Sequence, residues 1–117
     1  MISASNSALS ALQAFSTKIQ SNSNNIANAN TDGFKKTRVT MAEVFPQGVR
    51  AQVDRVTLPG NGVFQETNDG LELVELANVE LSSEIPEMNL GSVFYKANLK
   101  TIETVNEMTG ALLALKS

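Results

Sequence analysis

The chain has 117 residues, 42 % hydrophobic, 18 % charged and 5 % aromatic, enough for one ordinary domain and too little for two. Its 9 basic and 12 acidic residues give a net charge of −3, which argues against general nucleic-acid binding, because neutralising phosphates needs clustered surplus cations. His, Cys and Trp are missing, and with them Ser-His-Asp and Cys-His catalysis, zinc sites with N or S ligands, and disulfides.

The longest apolar run, Ala111 to Leu115, is far short of the ~18 residues of a membrane span, so no direct membrane insertion is expected. No cation precedes Lys18 and no compact apolar block opens the chain, so no secretory signal peptide is expected. Little chemical equipment remains. The expectation is a structural or binding protein that is not an enzyme and uses no cofactor or metal.

Charge is segregated. Residues 1–55 carry Lys18, Lys35, Lys36, Arg38, Arg50 and Arg55 against Asp32, Glu43 and Asp54, net +3. Residues 56–95 carry seven acids and no Lys or Arg, net −7, and residues 96–117 are net +1. A basic first half and an acidic middle can attract each other within one molecule or between stacked copies.

In the first thirty residues, Ile2, Leu9, Leu12, Phe15, Ile19 and Ile26 recur at helical spacing. The stripe is interrupted by serines and is too weak for an isolated coiled coil. Ser and Asn fill thirteen of the thirty positions and Lys18 is the only charge. A helix with a thin apolar stripe and an uncharged amide- and hydroxyl-rich back fits contact with protein on several sides. Ser and Asn have indifferent helix propensity, so this helix is expected to need packing to form.

The helix runs out in Asn24-Asn25-Ile26-Ala27-Asn28-Ala29-Asn30-Thr31-Asp32-Gly33-Phe34. Asn tolerates left-handed backbone and Gly33 supplies a positive φ freely, so Asn30, Thr31, Gly33 and Phe34 read as a C-terminal turn leading into a strand. Turn chemistry does not explain Asn24, Asn25 and Asn28 inside the last helical turns. Their amides are candidates for lateral hydrogen bonds to another chain.

The middle is short and β-rich. Val49, Ala51 and Val53 alternate, and the apolar phase then moves to Val56 and Leu58, which predicts a bulge near Asp54–Arg55. Pro59-Gly60-Asn61-Gly62 is a loop. Val63 to Thr67 and Leu71 to Leu76 flank Asn68-Asp69-Gly70, a hairpin signal. Gly60-x-Gly62 is not a dinucleotide fingerprint, since position 65 is Gln65 and no helix follows. The hairpin acids do not have calcium-loop spacing.

The last segment predicts a second long helix. Ile85, Met88, Ser92, Tyr95, Leu99, Ile102, Asn106 and Leu113 share one stripe, widened by Leu112 and Leu115. Asn78 or Ser83 is the expected cap. With Ser83 capping, Pro86 lies harmlessly in the first turn; with Asn78 capping, it should kink the helix. Asn98 and Asn106 place amides on or near the seam. The fold class expected is mainly α with a small β region. Long terminal helices of about 38 to 45 Å pack as an antiparallel pair around a short β-hairpin element. The expected units are 1–33, 34–77 and 78–117.

Two motifs carry a family resemblance. Asn24-Asn25-Ile26-Ala27-Asn28-Ala29-Asn30-Thr31-Asp32-Gly33-Phe34-Lys35 resembles the N-terminal signature of bacterial flagellar rod and hook axial proteins. Phe94-Tyr95-Lys96-Ala97-Asn98, followed by Thr101 to Thr104 and Asn106-Glu107-Met108, is similar to their C-terminal signature. The resemblance spans roughly residues 1–40 and 78–117. It implies a subunit that polymerises with other copies and other axial proteins into a tube around a central channel. It also implies export through the flagellar type III apparatus without a cleaved signal, residence in the periplasm-spanning rod, and termini that order on assembly. The short middle favours a proximal rod subunit of the C type; Pro86 departs from the family pattern. The implied assembly interface combines Ile2, Leu9, Leu12, Phe15, Ile19, Asn24, Asn25, Ile26 and Asn28 with Met88, Tyr95, Asn98, Leu99, Ile102, Leu112 and Leu113. The rival expectations are another rod or hook axial subunit, or a helical adaptor or chaperone that binds a partner helix in its seam.

Overall fold

A computed structural model describes residues 2–116. Two long helices bracket two antiparallel ribbons. Helix α1 spans Ile2–Ala27 and α2 spans Leu81–Lys116. Between them lie β1 (Thr37–Glu43) paired with β2 (Val49–Arg55), and β3 (Gly62–Thr67) paired with β4 (Gly70–Glu75). The molecule is a rod of 81 × 23 × 18 Å.

The apolar core is thin. Among the described residues the buried apolar side chains are Ala8, Ala11, Ala14, Val39 and Val105. On α1 the buried arc is therefore an alanine and asparagine stripe, Ala8, Ala11, Ala14, Asn22 and Asn25, turned roughly a third of a turn from the Ile and Leu stripe. Small side chains allow close approach from two sides. On one flank β1–β2 lies along α1, its Thr37, Val39, Met41, Ala51 and Val49 sharing the inward face. On the other flank α2 touches α1. Phe15 stacks on Phe94 with ring centroids 5.3 Å apart, Lys18 pairs with Glu87 at 2.7 Å, and Ser23 meets Met88.

Several local expectations are corrected. There is no bulge at Asp54–Arg55: the β1–β2 register is continuous from Thr37↔Arg55 to Glu43↔Val49. The apolar phase changes there because the strand ends at Arg55; the Val56 N–H extends the pairing by one step, donating to the Lys36 carbonyl. Neither Asn78 nor Ser83 caps α2. The Glu80 carbonyl takes the first bonds, from the N–H groups of Ser83 and Glu84. Asn78 is engaged elsewhere, accepting from Lys36 N–H and donating to the carbonyls of Val56 and Leu58. Pro86 sits in the second turn, and the helix continues through it to Lys116. Strand β1 is the strand expected after the Gly33 turn, and its pairing with β2 gives it its bounds.

Two turn expectations match. Gly33 has φ 71° in the turn after α1, and the second hairpin turns at Asn68–Asp69. Among the described residues no helix is long and apolar enough to cross a membrane.

Candidate assembly surface

The asparagines at the end of α1 divide into two sets. Asn25 is 1 % exposed and acts as a backbone mimic. Its Oδ1 accepts the Thr37 N–H at 3.0 Å and its Nδ2 donates to the Thr37 carbonyl at 2.8 Å. One side chain thus pairs with the first residue of β1 as a neighbouring strand would, and ties the ribbon to the helix. Ser21 Oγ adds a 2.6 Å contact to Thr37 Oγ1. Asn24 and Asn28 instead serve the turn. Asn28 Nδ2 donates to the Asn24 carbonyl at 3.0 Å, and Thr31 Oγ1 donates to Asn28 Oδ1 at 3.1 Å.

Beneath this lies a buried polar knot. Glu84, 5 % exposed, accepts on Oε2 from Asn22 Nδ2 at 2.7 Å and Asn25 Nδ2 at 3.2 Å. It also lies in the first turn of α2, where the helix dipole favours negative charge. The knot joins α1, β1 and α2 at one point. Buried polar groups are costly when unmatched, so it fixes the register of the three elements more sharply than the alanine contacts can.

Two ion pairs join segments distant in sequence. The Lys18 ammonium hydrogen-bonds Glu87 and holds its carboxyl below the usual glutamate range. At the far end Lys35 bonds Glu75, and that contact, helped by the Gly60 N–H, lowers the Glu75 carboxyl likewise. Gly60 is required there by close approach: a Cβ would lie 2.1 Å from the Leu76 carbonyl oxygen.

The residues named from sequence are distributed unevenly. Phe15, Ile19, Leu12 and Ile26 are half-buried on the flank that meets α2, as are Met88, Tyr95, Asn98 and Ile102 on α2. Asn98 bonds the Phe94 carbonyl in its own helix. Ile2, Leu9, Leu99, Leu112 and Leu113 are exposed. Asn24, Asn30, Thr31 and Gly33 are exposed, whereas Phe34 is half-buried. The chain therefore brings the middle of the two stripes together and leaves their outer members on the surface. Asn22, Glu84 and the alanine stripe were not singled out from the sequence, and Asn78, expected as a helix cap, clamps a loop instead. The spacing of Ala8, Ala11, Asn22 and Asn25 was a legible signal. The partnership with Glu84, 59 residues away from Asn25, was not.

Residues 6–35 match the family model described as Flagella basal body rod protein. The matched stretch is about a quarter of the chain. It covers nearly all of α1 and the turn to Lys35, and so includes Asn22, Asn25, Asn24 and Asn28. Over that stretch the chain is similar to flagellar basal-body rod proteins. Among curated proteins no match is found.

Proposed function

We propose that this chain is a structural, non-catalytic subunit of the bacterial flagellar basal-body rod, of the short proximal kind and closest to the C type. The observation that carries the reading is the family match over residues 6–35, which falls on a long helix ending in the amide cluster. In this reading α1 and α2 pack as an antiparallel helical pair. Other copies and other axial proteins then cover the surfaces that one chain leaves open. The product is a tube that transmits torque and encloses the export channel. The subunit reaches it through the type III export apparatus, in the part of the rod that spans the periplasm.

The division of labour among side chains supports this. Asn22, Asn25 and Glu84 are spent on internal register, while Ile2, Leu9, Leu99, Leu112 and Leu113 remain uncovered. For 117 residues, so few buried apolar side chains make a weak core. Covering the outer stripes with neighbouring chains supplies the missing burial, and lets the chain cross a narrow pore before it becomes rigid.

The test is electron microscopy of basal bodies from a strain lacking this chain. The reading expects rings without a complete rod, non-motile cells, and recovery of both on re-expression. Intact rods in the deletion strain would overturn it. A defined one-to-one complex with a single soluble partner would favour the adaptor instead.

A further inference from the structure

Among the described residues, the rod-shaped molecule carries an exposed apolar surface toward each end. Helix α2, at ~1.5 Å per residue, accounts for about 54 Å of the 81 Å length. A six-residue hairpin adds about 20 Å, so β3–β4 projects beyond the helices along the long axis. Among the described residues it packs against neither helix nor the first ribbon. Its cross-strand pairs place Phe64 beside Leu73 and Glu66 beside Leu71 on one face. Phe64, Leu71 and Leu73 are 72 %, 73 % and 67 % exposed. The hairpin also carries Asp69, Glu72 and Glu75 and no cation.

At the opposite end α2 outruns α1. Phe15 meets Phe94 and Lys18 meets Glu87, so at equal rise Ile2 lies near Glu107. Every described residue after Val105 is exposed. Leu112, Leu113 and Leu115 line an open concavity of about 440 Å³ with Thr109 and Lys116. Lys116 is the sole charged side chain after Glu107.

We propose that copies of this chain join head to tail, with the Phe64–Leu71–Leu73 face of one copy seated on the Leu112–Leu113–Leu115 surface of the next and Glu66 facing Lys116. This deepens the rod reading and rests on it for the occupant being a second copy. Three things argue for that occupant. Both surfaces are apolar and open, they carry opposite charge at their rims, and they lie at opposite ends of one molecule. Two different patches meeting in this way form a heterologous contact, which propagates rather than closes. The patches are small beside the ~1,000 Å² of a stable interface, so a single contact is weak and a covalent trap is the right probe.

The chain has no native cysteine, which makes that trap clean. A purified Leu73→Cys/Leu113→Cys chain, oxidised with copper phenanthroline, should give a ladder of cross-linked species on a non-reducing gel. An equal mixture of the two single variants should stop at dimers, and each single variant alone should stay monomeric. Phe64→Ser in the double-cysteine chain should cut the ladder at least about tenfold through lost apolar burial. Glu66→Lys should cut it about fivefold, and adding Lys116→Glu should restore it.

Far-UV circular dichroism of each variant should match the parent, since these side chains are exposed and lie outside the contacts that join the helices and the first ribbon. No ladder from the normally folded double variant would overturn the proposal. Dimers from Leu73→Cys alone would overturn it too, by showing a hairpin-to-hairpin contact. The two readings fail separately. A ladder alongside intact rods in the deletion strain keeps the docking and removes the rod assignment. Missing rods with no ladder remove the docking alone.

Discussion

The β1–β2 ribbon lies along α1 and buries Val39, whereas the β3–β4 ribbon, of nearly equal length, leaves Phe64, Leu71 and Leu73 in solvent. Composition does not separate them, since both carry alternating apolar side chains. The difference lies in polar anchors. Thr37, at the start of β1, is gripped by Asn25 and Ser21, and the Val49 N–H at the start of β2 donates to Ser10 Oγ at 3.1 Å. Among the described residues the second ribbon is held only at its root, where the Gly33 N–H donates to the Glu75 carbonyl and Lys35 pairs with the Glu75 side chain. A few part-buried hydrogen bonds separate the ribbon that belongs to the fold from the one that is left for something else.

The sharpest way to break that contrast is Asn25→Leu. It strands the Thr37 N–H and carbonyl and removes one donor from buried Glu84, so stability should fall by roughly 3 kcal/mol or more. Urea unfolding followed by far-UV circular dichroism checks this. A loss under about 1 kcal/mol would show that the alanine packing, not the amide, holds the first ribbon. Gly60→Ala should come next, at about 2 kcal/mol, because its Cβ would lie within 3 Å of the Leu76 and Ala77 carbonyl oxygens. The same measurement reads it.

Acid sharpens the comparison further. The lowered carboxyls of Glu87 and Glu75 contribute stability that is fully present above the ordinary glutamate pKa of about 4.3. It is lost as pH falls through their lowered folded values. Thermal melts between pH 6 and pH 3 should show this loss, and Lys18→Met should flatten the part due to Glu87. An unchanged slope in that variant would mean that the Lys18 pair adds nothing in solution. The smallest effect is expected at the second ribbon. Leu73→Ser should move the stability of the free chain by no more than about 0.5 kcal/mol, and a larger loss would show that the hairpin is part of the core after all.

How much of this was legible follows from how far apart the partners lie. The two helices, the Gly33 turn and the Asn68–Asp69 hairpin depend on neighbours in sequence, and periodicity and turn chemistry found them. The α1 stripe was read from its largest side chains, Ile2 and Leu9 among them, and these turned out to be exposed. Burial on α1 instead follows Ala8, Ala11 and Ala14, because two elements approach it closely and large side chains do not fit between them. Capping failed for a related reason. Asn78 looked like a helix cap, but its amide clamps Lys36, Val56 and Leu58 across a loop, a set of partners that no local pattern encodes. The Asn22–Asn25–Glu84 knot was invisible because its members come from opposite ends of the chain.

What most directly tests whether the outer stripes exist for neighbouring chains is their reactivity before and after assembly. Single Leu9→Cys and Leu99→Cys variants, both at positions about half exposed in the free chain, would be treated with a maleimide as purified protein and again in isolated basal bodies. Ready labelling of the free chain is expected, with at least tenfold slower labelling in the basal body, on the order of 1.4 kcal/mol of added protection. Equal labelling in both states, with the variants incorporated, would contradict it.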